Sequence, residues 1–502
     1  MTLNITHWLD QNADRFPDKP AFVEERRSIS YKQLQNQAQT IAVKLLKKRL
    51  LKKPIAVFME KGIDMIISFM GIAYSGNFYS PLDIDMPTER MDKILEVLSP
   101  ALVITTPELK ERFLDSKYRG EFLIFETDDE ITATQREEVN MIGRKIINTD
   151  LLYVMFTSGS TGIPKGVAIT HQSVIDLVDC VTETFDITEE DIFGNQAPFY
   201  FDMSVLDIYC SIKSGATNYI IPKYLFTQPV LLLNYLKENG INTISWVPSA
   251  LIVVAKLKAL YKVDLSHVLK RVMFCGEVMP NKYLNVWRKH LPNVLYVNLY
   301  GPTEATHSCT YYIVNRTFTD DEPLPIGIPM KNTDILVLTD KNELVSGNEI
   351  GELCIRGVSL STGYYNDTER TNEVFIQNPL NQSTIELIYR TGDLVRYNEF
   401  GELLYLSRKD LQIKHLGNRI ELGEIELAVF SLQEISLCCC VYDELRHKIV
   451  LFIDEDLDIA YINKQISKLL PKYMLPDRVI VLNKMPMNQN GKIDRAALKK
   501  MI

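Results

Sequence analysis

Apolar positions along the chain recur in short unbroken runs that alternate with longer amphipathic stretches. "KPIAVFM" (53–59) has the length of a buried strand, and the helix-like "KGIDMIISFMGIAYSG" follows it. "NFYSPLD", the charged, helix-like "PTERMDKILEVL" and "ALVITT" (101–106) continue the order. It resumes at "TNYIIP" (217–222), "QPVLLLNYLKENG" (228–240), "NTISWVP" (242–248), "NKYLNVWRKHL" (281–291) and "NVLYVNLYG" (293–301). Strand and helix in alternation predict a largely parallel α/β architecture.

After about residue 325 the texture changes. "TDILVLTDKNELVSGNEIGELCIRG" and "GELLYLSRKDLQIKHLG" each predict a β-hairpin with polar turns. The last ~90 residues predict a compact strand-and-helix unit of their own. A chain of 502 residues is more than one core usually supports, so a multidomain α/β protein is expected.

Charge and cysteine content narrow the class. A net charge of −9 argues against a surface that coats nucleic acid. No apolar run approaches the ~20 residues of a membrane helix, and "MTLNITHWLDQNADRFPDKP" lacks a signal-peptide pattern. The eight cysteines (180, 210, 275, 309, 354 and 438–440) show no CxxC spacing, and "LCCCVY" reads as a buried strand of reduced thiols. A cytoplasmic protein without membrane insertion is the expectation.

One stretch carries chemistry. "TSGSTGIPKG" (157–166) follows the apolar "LLYVMF" and concentrates glycines, hydroxyls and a lysine. Backbone N–H groups of such a turn can surround phosphate oxygens, with Lys165 as a point charge. Hydroxyls of Thr157, Ser158, Ser160 and Thr161, around Gly159, are further donors. The G-x-x-x-x-G-K-[ST] phosphate-binding pattern is not met, because Pro164 stands where its second glycine belongs and Gly166 follows the lysine. From composition alone, a solvated surface loop explains the stretch as well.

Its companions separate the two readings. "YVMFTSGSTGIPKGVAITH" (153–171), "NLYGPTEAT" (298–306), "GELCIRG" (351–357), "YRTGDLVR" (389–396), "DLQIKHLGNRIELGEIE" (410–426), "LPKYMLP" (470–476) and "NQNGKIDR" (488–495) occur in that order. Together they resemble the adenylate-forming superfamily, and within it the amino-acid adenylation domains, D-alanine:D-alanyl carrier protein ligases most of all. The resemblance implies a large N-terminal domain (1–408), a hinge near Asp410 and a small mobile α+β C-terminal domain (409–502).

It also implies a reaction and its residues. A carboxylate attacks the α-phosphorus of ATP, giving an acyl adenylate and pyrophosphate, so the site must neutralise and align two anions. By resemblance, residues 157–166 hold the pyrophosphate, and Glu304 binds Mg²⁺, which prefers oxygen ligands. Tyr300 packs on adenine, with Asn298, Leu299, Gly301, Pro302 and Thr303 completing that wall. Asp393 accepts from the ribose hydroxyls, assisted by Arg408 and Tyr405. Lys492 bridges carboxylate and phosphate in the adenylation step. One departure stands at the domain junction, where Ser407-Arg408 replaces the usual Gly-Arg.

The substrate follows less directly. Asp202 stands where amino-acid-activating members hold the α-ammonium, the reading preferred over its capping the helix "MSVLDIY". Matching positions give Met203, Leu206, Ser245, Met273, Cys275, Leu299, His307 and Ser308 as pocket wall. The implied substrate is a small amino acid, D-alanine first, although Leu299 and His307 make the wall bulkier and more polar than the D-alanine ligases lead one to expect. No carrier-like segment follows Arg495, so the expected acceptor is the phosphopantetheine thiol of a separate carrier protein, or free coenzyme A. An acyl- or aryl-CoA ligase and a non-catalytic nucleotide-binding protein remain as other classes.

Overall fold

A computed structural model describes residues 4–502 apart from 128–129, 160–161, 433, 483 and 488–492. The alternating runs become two α/β sheets. The smaller orders its strands Glu121–Ile124, Leu102–Thr105, Pro54–Phe58, Phe78–Pro81, Leu151–Thr157 and Lys165–Thr170. Its neighbours are parallel except the last pair, which forms an antiparallel hairpin around residues 158–164.

The larger sheet has a parallel centre running Leu295–Tyr300, Arg271–Phe274, Thr243–Trp246, Ile192–Asn195, Thr217–Ile220 and Pro20–Val23. Antiparallel strands close both edges. The helix Ile63–Tyr74 is buried along its length apart from Asp64, as a helix apolar nearly all round must be. Tyr79 stacks on its Phe69 at 4.1 Å and pairs with Tyr209 through a 2.7 Å hydroxyl contact, which ties the two sheets into one core.

Beyond residue 325 the chain turns to antiparallel pairing. Thr333–Leu338 and Gly351–Gly357 form the expected hairpin, extended by Leu387–Tyr397, Phe375–Gln377 and Leu403–Arg408. The second expected hairpin does not form. Leu403–Arg408 pairs back onto Leu387–Tyr397, whereas Gln412–His415 pairs forward with Asn418–Glu421 in a separate two-stranded ribbon. The intervening Lys409 and Asp410 are spent on other contacts: the Lys409 N–H donates to Gly392, and Asp410 receives the Arg408 guanidinium.

The triple-cysteine run becomes the strand Cys438–Asp443, paired with Lys448–Ile453, and all eight thiols are buried and unpaired. Two apolar clusters built only from residues beyond 412 surround that sheet.

Candidate active site

The Gly-rich stretch is the tip of the Leu151–Thr157/Lys165–Thr170 hairpin, with Thr157 directly opposite Lys165. The tip closes tightly. Gly162, in the left-handed region at φ 74°, donates to Gly159 at 2.9 Å, and a Cβ on Gly159 would lie 2.1 Å from the Ile163 carbonyl. Buried Thr157 Oγ1 has no partner among the described residues, so one hydroxyl remains for a ligand. Ser158 Oγ instead donates to the Arg419 carbonyl at 2.8 Å. Ser160 and Thr161 lie outside the described residues.

The residues predicted for the nucleoside form one chain of contacts. Tyr300, at the end of its parallel strand, donates its hydroxyl to Asp393 Oδ2. Asp393 faces Arg408 across adjacent strands, and Arg408 Nη1 reaches Asp393 Oδ1 at 2.8 Å. Burial, then the Asp393 carboxylate, pushes the Tyr300 hydroxyl well above its usual range, so it stays protonated. Tyr405 lies on the Arg408 strand, half-buried, with its hydroxyl also pushed up by burial. Asn298 is spent on structure, donating to the Pro325 carbonyl at 2.8 Å. Gly301 permits a close approach: a Cβ there would fall 2.5 Å from Ser308 Cα.

Glu304 follows in a single 3₁₀ turn, Thr303–Ala305, and is fully buried. Burial opposes its ionisation, but the adjoining Arg419 and Lys165 charges hold it down to about 2. Both oxygens are engaged, Oε1 by the Tyr364 hydroxyl at 2.6 Å and Oε2 by Arg419 Nη1 at 2.7 Å. Lys165 lies over the Tyr364 ring at 5.3 Å. Burial, with Arg419 adding repulsion, lowers the Lys165 ammonium to about 8.

No described group of three or more His, Cys, Asp or Glu side chains could hold a metal alone. A single ionised carboxylate suits Mg²⁺ whose other ligands are phosphate oxygens and water. In this structure the Glu304 oxygens are taken by Tyr364 and Arg419.

Of the residues predicted for the amino-acid pocket, Asp202 adjoins Thr303 and Glu304. Asp202 precedes the helix Met203–Ser214 without capping it, which removes the capping explanation. Burial raises its carboxyl to about 6, while the Thr303 hydroxyl and the Lys414 charge favour the ionised form. Met203, Leu206, Met273, Cys275 and Leu299 share one buried cluster. Cys275 Sγ lies 4.0 Å from the His307 carbonyl, and burial pushes its thiol up to about 12. His307 Nδ1 pairs with Ser308 Oγ at 2.8 Å, and burial lowers the ring to about 4. Lys492 lies outside the described residues.

The model of the AMP-binding enzyme family matches residues 9–365. The chain belongs to that family. It is 32% identical to tyrocidine synthase 1 of Brevibacillus parabrevis over 99% of its own length and 45% of that protein. To a D-alanine–D-alanyl carrier protein ligase of Bacillus licheniformis it is 31% identical over 100% of both chains. It therefore spans about half of some curated relatives and all of others. The solved adenylation domain AlmE of Vibrio cholerae, in complex with glycyl-adenosine-5'-phosphate, shares its fold at TM-score 0.84. Identity there is 21%, over 100% of this chain and 98% of that one. This AMP-binding enzyme thus has the adenylate-forming fold, and enzymes of its family use ATP. Among the described residues no helix is long and apolar enough to cross a membrane.

Several residues of the site escaped sequence reasoning. Arg419 lies within the quoted "GNRIELGE", but nothing local says that it reaches Glu304. Glu277 Oε1 accepts from the Gly417 N–H and Oε2 from the Ser249 N–H, both at 2.9 Å, bridging the late loop and the helix Pro248–Lys256. Arg90 pairs with Glu424, and both are buried. The segment 414–424 of this AMP-binding enzyme is thus held against earlier parts of the chain by polar contacts.

Proposed function

We propose that this chain activates a small amino acid with ATP and passes it to the phosphopantetheine thiol of a separate carrier protein. The observation that carries the reading is that Lys165 of the Gly-rich stretch adjoins Glu304, four residues past the Tyr300 that opens the Tyr300–Asp393–Arg408 chain. In the first step a substrate carboxylate oxygen bonds to the α-phosphorus and the bond to the β-phosphate breaks, releasing pyrophosphate. Lys165 and the hairpin N–H groups face the departing charge. Asp393 accepts from the ribose, Tyr300 flanks the base, and Asp202 pairs with the α-ammonium. Lys492 neutralises charge between carboxylate and phosphate. Mg²⁺, held through Glu304, supplies charge neutralisation on the phosphates.

In the second step the thiol sulfur bonds to the acyl carbon, its proton is lost and AMP leaves. We assign residues 1–408 to a large domain and 409–502 to a small one turning near Asp410, a reading supported by the separate cores beyond residue 412. The segment 414–424 faces the site in the second step, and Lys492 faces it in the first. D-alanine is the first substrate to test, on the full-length likeness to the D-alanine ligase. A reducing, cytoplasmic setting suits eight unpaired, buried thiols.

The deciding experiment is exchange of labelled pyrophosphate into ATP across D- and L-amino acids. Exchange should require an amino acid, and ATP should yield AMP. Formation of ADP, or exchange without an acid, overturns the reading. Strong activation of propionate or benzoate moves the protein to the acyl-CoA ligases.

A further inference from the structure

Two side chains predicted for the amino-acid pocket keep buried polar atoms without a hydrogen-bond partner among the described residues. Ser245 lies in a cross-strand row between Asn195 and Met273 on the larger sheet. Its neighbours along the strand, Ile244 and Trp246, belong to the core on the opposite face of the sheet. Period-2 alternation therefore turns Ser245 toward Met273, Cys275 and the helix Met203–Ser214. Ser245 is fully buried, and its Oγ has no hydrogen-bond partner among the described residues.

A second such atom stands past Cys275. Thr306 and His307 both adopt positive φ, 51° and 69°, consecutive left-handed residues that cost energy and must be held in place. The bend presses residues 307–309 against Gly301, where a Cβ would lie 2.8 Å from the His307 carbonyl. His307 is 2% exposed. Its Nδ1 is taken by Ser308, while Nε2 has no partner among the described residues. Met273 stands opposite Ser245 on the neighbouring strand, and Cys275, two residues on, lies with its Sγ 4.0 Å from the His307 carbonyl.

A buried polar atom without a partner carries a penalty that an apolar ligand leaves in place and a polar one removes. A methyl side chain leaves both atoms unpaired. A hydroxyl is donor and acceptor at once, and so serves Ser245 Oγ and either tautomer of His307. We propose that the side chain of the activated amino acid carries a hydroxyl group, which pairs with the wall formed by Ser245 Oγ and His307 Nε2. The inference rests on the amino-acid-activation reading and replaces alanine at its head with a small hydroxylated amino acid.

Matched isosteres test it. Pyrophosphate exchange is measured with serine against 2-aminobutyrate and threonine against valine, each as both enantiomers and beside alanine. In the wild type, kcat/KM should favour the hydroxylated member of a pair by at least ~10-fold. Ser245→Ala and His307→Leu should each shrink that ratio to within ~3-fold, and Ser245→Thr, which keeps the hydroxyl, should preserve it. Because the readout is a ratio within one preparation, partial misfolding of a variant cancels. Equal or better use of the methyl partner by the wild type, with either enantiomer, overturns the proposal, as does a ratio that neither Ser245→Ala nor His307→Leu alters; an ordered water then satisfies both atoms. Exchange with no amino acid at all overturns instead the activation reading on which it rests.

Discussion

Arg419 Nη1 stands 2.7 Å from Glu304 Oε2 across 115 residues of sequence, with Glu304 fully buried. The carboxylate assigned to Mg²⁺ is therefore neutralised in this arrangement by a guanidinium from the late loop. The same loop brings Gly417 to Glu277 and Glu424 to Arg90. On the proposed reading, Arg419 and a phosphate-bound Mg²⁺ compete for this one carboxylate.

Arg419→Leu follows from that competition. Removing one partner of a buried ion pair costs about 3–5 kcal/mol, here levied only on the docked arrangement. Thioester formation from preformed adenylate should fall at least ~10-fold, while pyrophosphate exchange stays within ~3-fold of wild type. Rapid-quench measurement of the two half-reactions checks this; equal losses in both would refute a role confined to docking.

Gly417 offers the steric counterpart. It sits at φ 78°, and a Cβ there would lie 2.8 Å from Val247 Cγ1. Gly417→Leu should block thioester transfer and spare adenylation. Lys492→Ala should do the reverse, losing at least ~100-fold in exchange, as for loss of a charge-stabilising donor. Two variants with the same pattern of damage would sink the assignment of the two steps to different faces.

Asp202 sets an acid limb. Its carboxyl, raised by burial to about 6, is neutral below that pH and cannot hold an ammonium. For the amino acid, kcat/KM should fall as pH drops through about 6, and the Lys165 ammonium, lowered to about 8, should set the alkaline limb. Asp202→Ala should cost at least ~100-fold in activation, with ATP binding near wild type. A raised carboxyl pKa costs stability above it, because the unfolded chain ionises more readily; Asp202→Asn should therefore raise Tm near neutral pH, a gain that shrinks toward about pH 4. A Tm difference independent of pH would contradict the burial argument.

Arg408 cannot be replaced by lysine. Nε and Nη2 hold Asp410 at 2.6 and 2.7 Å while Nη1 holds Asp393 at 2.8 Å, a fork that a single ammonium does not reproduce. Arg408→Lys should weaken ATP binding by ~10-fold or more, read by equilibrium dialysis, as expected for lost charge-assisted hydrogen bonds. Unchanged affinity would remove Arg408 from the nucleoside site.

Local patterns carried much of this protein. The apolar runs at 53–59, 242–248 and 293–301 became strands because burial on both faces selects such runs whatever surrounds them. The strand before the Gly-rich turn and the triple-cysteine strand were legible for the same reason, whereas the return strand Lys165–Thr170 that pairs with the first was not. Tertiary structure decided the rest. Leu403–Arg408 and Gln412–His415 alternate like a hairpin, yet each found another partner, because strand pairing depends on which edge is open in space. Asp202 looked like a cap until the fold gave it Thr303 and burial in place of the helix N–H groups. That Arg419 meets Glu304, that Arg90 meets Glu424, and that Ser245 Oγ and His307 Nε2 are left without partners among the described residues depend on how segments far apart in the chain pack together. Such contacts are set by the summed packing of whole surfaces, which no period or motif along the chain encodes.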